Sequence, residues 1–418
     1  MTSSTQDVAS RVGVLEANTS DDASLQRMAS QAVVCINAVG PFRFHGRQVV
    51  RACIEAGCSY LDICGEPEFI EAVAYEYEIW NRPTCARSSR APTLSFTLSH
   101  SLARATCYAL RSFARYDDLA RERGVYVASA CGFDSVPVDV GNALVVKSFP
   151  PRCCCSVETY IELRSGPSGA ALHFPTYASA VHGLGSVQEL RRLRVAAAAK
   201  RKEREAERVG KSAFPVPMRA AGSYAEDVGM YVIPFIGADA SVVKRTELAN
   251  GFMPSSRVYM CLPSRYRFLQ FAFYGSLFKG LAKYAVGRRL LLSYPRVFCP
   301  IVSMEGPTSA QLRETSFKVT LVGRGFEGDE PVRGKEGERE RPDKRVRLEI
   351  SGPEPGYLTC SICIVSAARV LVRGEVSGKA GGVHTPAGLL LTDEAGKETS
   401  FVHLMKQRGI VFDWVPVS

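Results

Sequence analysis

Residues 34–42 read Val34-Cys35-Ile36-Asn37-Ala38-Val39-Gly40-Pro41-Phe42, an apolar run closed by Gly-Pro. Ala32 to Val39 has the length of a strand, and the Gly40-Pro41 exit halts it. Arg47 to Ala56 then carries apolar residues at helical spacing, Gly57 supplies a stop, and Tyr60 to Ile63 is the next strand. Gly65-Glu66-Pro67 leads into a helix from about Glu68, and Val125 to Ala128 is a further strand running into Cys131-Gly132-Phe133-Asp134. Upstream, Val12 to Glu16 is expected as a short strand, and Asp21 with Asp22 to cap a helix through Ala29. Strands separated by helices predict a parallel sheet built from right-handed crossovers. Its ligands would lie beyond the carboxyl ends of the strands, at Asn37 to Phe42, Ile63 to Glu66 and Ala130 to Asp134.

The 418 residues leave room for two or three domains. A content of 46% hydrophobic and 22% charged residues is that of a folded globular chain, neither disordered nor polytopic in a membrane. The net charge of +10 points to an anionic partner, and its distribution decides which. Fourteen cysteines in this length are too sparse for a secreted disulfide scaffold. With no basic n-region or apolar h-region at Met1 to Asp7, an intracellular protein with reduced thiols is expected. No metal site is expected either. Cys360 and Cys363 lie alone in an apolar run, and the adjacent Cys153, Cys154 and Cys155 do not readily converge on one tetrahedral ion.

Residues 78–115 interrupt the helix that starts near Glu68 with six arginines, six serines, four threonines and a single acid, Glu78. Without them Glu76-Tyr77 runs straight into the helical Tyr116 to Gly124. The segment reads as a disordered insertion or an error in the gene model rather than a lid. From Val157 the pattern turns to short strands and loops, with strands expected at Phe317 to Gly323 and Arg345 to Ile350 and a helix from Tyr357 to about Val372. Residues 187–211 mix both signs of charge at helical spacing, a solvated helix rather than a nucleic-acid reader. Leu248 to Met304 differs, having eight Lys and Arg and no Asp or Glu. Within it lies the aromatic run Phe268 to Phe278, followed by Lys279 and Lys283, too short an apolar stretch to cross a bilayer. It suits either a helix lying in an anionic lipid interface, with Phe268, Phe271, Phe273, Lys279 and Lys283 facing the membrane, or a core helix or dimer face.

For chemistry the chain offers no hydrolase triad, and its six histidines stand in no metal motif. Asp62 with Glu66, or Asp134 with Asp139, would serve as acid–base groups or as loop caps. At the Gly40-Pro41 exit the backbone can pass close to a flat ligand, Asn37 offering an amide and Phe42 a stacking face, though an ordinary strand exit has the same pattern.

The run Val34 to Phe42, the stretch Ala56 to Glu66 and Gly132-Phe133-Asp134-Ser135-Val136-Pro137-Val138-Asp139 together resemble the saccharopine dehydrogenase-like oxidoreductases, a family that includes trans-acting enoyl reductases of glycolipid synthesis. Ser165 to Gly169, Ile233 to Asp239, Gly306-Pro307-Thr308, Gly356-Tyr357 and Gly381 to Pro386 extend the resemblance over nearly the whole chain except 78–115. It implies a Rossmann-like nucleotide domain over residues 1–150, rejoined by 357–418, and a second α/β domain over 151–356 with a mostly antiparallel sheet for substrate and dimerisation. It implies hydride transfer with NAD or NADP, Asn37, Gly40, Pro41 and Phe42 lying beside the nicotinamide and Cys131, Gly132, Phe133 and Asp134 facing a small-molecule or lipid-linked substrate. No catalytic residue is assigned. A homodimer at lipid droplets or mitochondria, without nucleic acid, is implied as well. The family's Gly-x-x-Gly-x-x-Gly turn is missing from residues 1–39, where Gly13 stands alone. The nucleotide sheet is therefore expected to be N-terminally truncated, in a cut-short gene product or in a protein that has lost NAD(P) binding, which then serves on a lipid surface without catalysis.

Overall fold

The computed structural model describes residues 12–80, 117–133, 135–188, 190–195, 210–212, 214–328, 341–376, 380–391 and 399–416. Asp21 accepts a hydrogen bond from the Ala23 amide and so starts helix α1 (Asp22–Ala29). Strand β1 (Val34–Asn37) leads through the cis Gly40-Pro41 bond into α2 (Phe42–Ala56), which Gly57 ends in the left-handed conformation. Gly46 of α2 lies against the Phe69 ring, so close that a Cβ would fall 2.6 Å from it. After β2 (Ser59–Asp62) and α3 (Pro67–Trp80) comes β3 (Tyr126–Ala128), parallel to β2. Helix α4 (Val136–Lys147) leaves this sheet and packs on the next one, its Gly141 admitting Leu321 and Ile350.

The expected strand at Val12 to Glu16 does not form. Residues 12–17 are irregular and Val14 is 98% exposed, because a short apolar run without a partner strand has nothing to pair with. Of the expected insertion at 78–115, residues 78–80 are the last of α3 and the rest lie outside the described residues.

The second half is built on β4 (Cys154–Arg164), followed by α5 (Phe174–Gly185), β5 (Ser223–Ala225), β6 (Met230–Pro234), α6 (Asp239–Ala249) and β7 (Ser255–Leu262). Three helices then follow one another, α7 (Arg265–Ala282), α8 (Ala285–Ser293) and α9 (Pro295–Phe298), before the long pair β8 (Ser316–Gly325) and β9 (Lys344–Pro353). A π-helical turn at Pro355–Thr359 runs into α10 (Cys360–Val372). By length and apolarity residues 355–372 suffice to cross a membrane. Yet Cys363, Ile364, Ala367 and Val370 lie in the core and the helix packs on β1 and β2, so one face of it is committed to the interior.

Strand β10 (Gly382–His384) then pairs in parallel with β3 and completes a four-stranded parallel sheet of order β1-β2-β3-β10. After α11 (Pro386–Leu390) and α12 (Ser400–Lys406), β11 (Val411–Val415) pairs with β9 instead. Residues 357–418 are thus divided between the two sheets rather than returning wholly to the first. The larger sheet has seven strands in the order β11-β9-β8-β4-β7-β6-β5, antiparallel at every step except β4 beside β7. The fold class is α/β, a Rossmann-like parallel layer beside a mixed, mostly antiparallel one. One core joins them, from Leu61 and Ala128 through α4 and α10 to Val319, Leu321 and Ile350.

Two further features matter below. Twelve cysteines among the described residues are unbridged, and nine of them are buried. On the larger sheet the buried Glu158 accepts from Arg219 (2.8 Å) and Arg324 (2.7 Å), and Asp227 from Arg324 (2.9 Å) and Arg345 (2.5 Å).

Candidate functional site

The carboxyl ends of β1, β2 and β3 lie side by side, Asn37 opposite Asp62 in the parallel register. Their polar side chains turn out to serve the loops. Asn37 is buried, its amide nitrogen donating to the Tyr60 hydroxyl (3.0 Å) and its oxygen accepting from the Val39 amide (3.0 Å). Asp62 is buried and accepts from the Cys64 and Ala130 amides, both at 2.9 Å. Burial pushes its carboxyl up to about 6, and the hydrogen bonds from those two amides hold it from going higher. Asp139 accepts from Thr246 (2.6 Å) and from the Ala387 amide (2.9 Å), and burial pushes it up to about 6 as well. Glu66 caps α2, accepting from the Phe42 and Arg43 amides (2.9 and 3.3 Å), the Arg43 guanidinium (3.0 Å) and the Ser179 hydroxyl of α5 (3.2 Å). Of the two expected roles for these carboxylates, loop capping is the one the structure shows.

The expected ligand-facing residues are corrected accordingly. Asn37 is turned inward, its amide engaged by Tyr60 and Val39, and Phe42 offers no stacking face because its ring is buried against Phe69, 5.9 Å between centroids. Gly40 is exposed and Pro41 half-buried, so what remains of that ledge is backbone. Cys131 does not face a substrate. Its thiol is wholly buried, close to the Ala128 carbonyl (3.5 Å), and burial raises its pKa well above that of a free thiol. Gly132 is buried against Cys360 and Ile63, and Phe133 stacks edge-on against Phe317 at 4.7 Å. Asp134 lies outside the described residues.

A different pair stands open to solvent nearby. The Phe133 amide donates to the Cys360 thiol (3.1 Å), and one turn before Cys360 the Tyr357 hydroxyl meets His173 Nδ1 at 2.7 Å. The other ring nitrogen, Nε2, lies 3.1 Å from the Met304 carbonyl. A carbonyl only accepts, so Nε2 carries the proton and Nδ1 accepts from the tyrosine. Glu354 holds the turn in place by accepting from the Gly356, Tyr357 and Leu358 amides. Burial, and then the Glu354 charge, raise the phenol above its ordinary value. Gly306, at φ +83°, passes so near that a Cβ would lie 3.0 Å from the hydroxyl. His173 drew no attention in the sequence, since nothing near it repeats a motif. The only signals were Gly306-Pro307 and Gly356-Tyr357, which mark backbone positions rather than chemistry. Beside the pair is a recess of about 420 Å³ lined by Phe174, Leu292, Tyr294, Val297 and Met304 among others.

Of the expected membrane-facing residues, Phe271, Phe273, Lys279 and Lys283 are exposed. Phe268 is the exception, half-buried with its ring against the backbone of Gly222. Among the described residues no three His, Cys, Asp or Glu side chains gather into a metal-holding group.

Comparison with known proteins bears on this geometry. A family model described as the saccharopine dehydrogenase NADP binding domain matches residues 3–127. A saccharopine dehydrogenase-like oxidoreductase of Mus musculus is 32% identical over 98% of this chain and 84% of its own length. The chain belongs to the saccharopine dehydrogenase-like oxidoreductase family. Also similar are a protein of Arabidopsis thaliana named as a mitochondrial member of this family, 31% identical over 90% of this chain and 78% of its own. A "lipid droplet localized protein" of Caenorhabditis elegans is 31% identical over 90% and 80%.

The family implies a nicotinamide dinucleotide, whose pyrophosphate needs free amides at a helix N-terminus. The N-termini of the first two helices do not offer them. The N-terminus of α1 holds the Asp21 carboxylate, that of α2 holds Glu66, and Gly13 meets nothing within 4 Å.

Proposed function

We propose that this family member is an oxidoreductase that works with NAD or NADP on a carbonyl, imine or enoyl group of a small-molecule or lipid-linked substrate. The observation that carries this reading is the identity to named oxidoreductases along nearly the whole chain. The relatives' names support a place inside the cell, at a lipid droplet or mitochondrion. The resemblance's homodimer belongs to the same proposal. The residues of this chain supply proton handling. A substrate proton passes to the Tyr357 oxygen as the tyrosine's own proton passes to His173 Nδ1, leaving an imidazolium whose Nε2–H still donates to the Met304 carbonyl. The reverse order protonates the substrate in the reducing direction.

The test is titration of the purified full chain into NADPH and into NADH, followed by cofactor fluorescence. Saturable binding of either supports the reading, and binding of neither overturns it. A second reading, a family scaffold on a lipid surface without dinucleotide, is favoured by the carboxylates that fill the N-termini of α1 and α2.

A further inference from the structure

Helix α7 is apolar on two sides and has a partner on only one. Its inner side packs, with Ala282 buried and the Phe278 ring edge-on to Tyr177 at 5.5 Å. Its outer side carries Tyr266, Leu269, Phe273 and Leu277, spaced i, i+3, i+7, i+11 and so on one face, at 67, 63, 67 and 44% exposure. The next two helices also expose apolar side chains, Val286 and Val297 being 78 and 71% exposed. So much exposed apolar surface on one short segment marks a contact site.

The charge around it says what the contact is. Residues 248–304 carry eight cations and no carboxylate, and Arg267 and Lys279 flank the outer stripe of α7. A second copy seated on this face would set the exposed cations of α7 to α9 against their own copies, with no acid in the segment to separate them. An apolar protein groove would answer the rings and leave the cations unpaired. A surface that is apolar at one depth and negatively charged just above it answers both.

We infer that the outer face of α7, α8 and α9 lies in the headgroup plane of an anionic phospholipid surface, rings at the acyl boundary and lysines and arginines against the phosphates. The helices lie on the leaflet rather than cross it. Although its 18 residues reach about 27 Å, α7 is polar at both ends, through Arg265, Arg267 and Lys279. The recess beside His173 is lined partly by this segment, through Leu292, Tyr294 and Val297, so a lipid-linked substrate would enter from the same face. The inference stands apart from dinucleotide binding.

The test is co-sedimentation of the full chain with vesicles of phosphatidylcholine alone and of phosphatidylcholine with phosphatidylserine, at low and high salt. Binding is expected to need phosphatidylserine and to weaken as salt rises. Lys279→Ala with Lys283→Ala should lower it on the order of tenfold, and Phe273→Asp with Leu277→Asp should abolish it, both variants keeping the wild-type melting temperature. Equal binding to both vesicle types, or unchanged binding by the aspartate variant, overturns the inference. So does an aspartate variant that turns a dimer into a monomer in light scattering while still sedimenting with vesicles. Dinucleotide titration of the same variants tells this failure from failure of the oxidoreductase reading.

Discussion

Glu247 shows what a single buried carboxyl does to the whole. Its Oε1 accepts from Asn142 (3.1 Å) and from the Ser256 hydroxyl, and burial pushes its pKa up to about 7. In the unfolded chain it would titrate near the ordinary 4.5. Between those values the unfolded state releases the proton first, so the stability this group contributes is complete below about pH 4.5 and gone above about pH 7. Urea unfolding from acid to mildly alkaline pH should show wild type losing about 3 kcal/mol relative to Glu247→Gln across that window. Glu66 acts through an ion pair instead. It and Arg43 are 4 and 8% exposed in their side chains, and Glu66→Leu would take one of two carboxylates, the other being Glu68, from a buried guanidinium. A loss of about 3 kcal/mol or more in the same assay is expected. That Asp62, Glu66 and Asp139 would matter was legible in the sequence as carboxylates at strand ends and loop starts. Which amides they would cap was not, since Glu66 reaches α2 and α5 and Asp139 reaches Thr246 and Ala387, contacts made only by the fold.

At the scale of elements, α2 was legible because Gly57 and its apolar spacing agree, and β8 with β9 because both runs alternate. The run at Val12 to Glu16 misled because apolarity alone does not supply a neighbouring strand. The pairing of β8 with β9 also hides a conflict that the sequence does not reveal. Its register sets Arg324 directly opposite Arg345, an arrangement that repels. Asp227, from the turn between β5 and β6, sits between the two guanidinium groups and resolves it. Burial would raise the Asp227 carboxyl, but Arg324 and Arg345 outweigh it and hold the pKa below the ordinary value. Asp227→Asn should cost about 2 kcal/mol, because it leaves two like charges face to face in a half-exposed site. Loss of the difference in an Asp227→Asn, Arg324→Met double mutant would confirm the coupling.

At the scale of the molecule, two sheets do not make two folding units. The core that runs from Leu61 through α4 and α10 to Leu321, and the exchange of β10 and β11 between the sheets, tie both layers together. Calorimetry of the full chain should therefore give one transition with matching calorimetric and van't Hoff enthalpies. Two resolved peaks would mean that the shared core is weaker than its burial implies. The distribution of the cysteines gives the same fold a clock of its own. Among the described residues Cys35, Cys299 and Cys360 are partly open, whereas nine others are sealed inside. An alkylating reagent would label the open thiols at once and reach the sealed ones only at the rate at which each part of the structure opens. Mass spectrometry of the sites labelled over time would then chart, thiol by thiol, the order in which the protein comes apart.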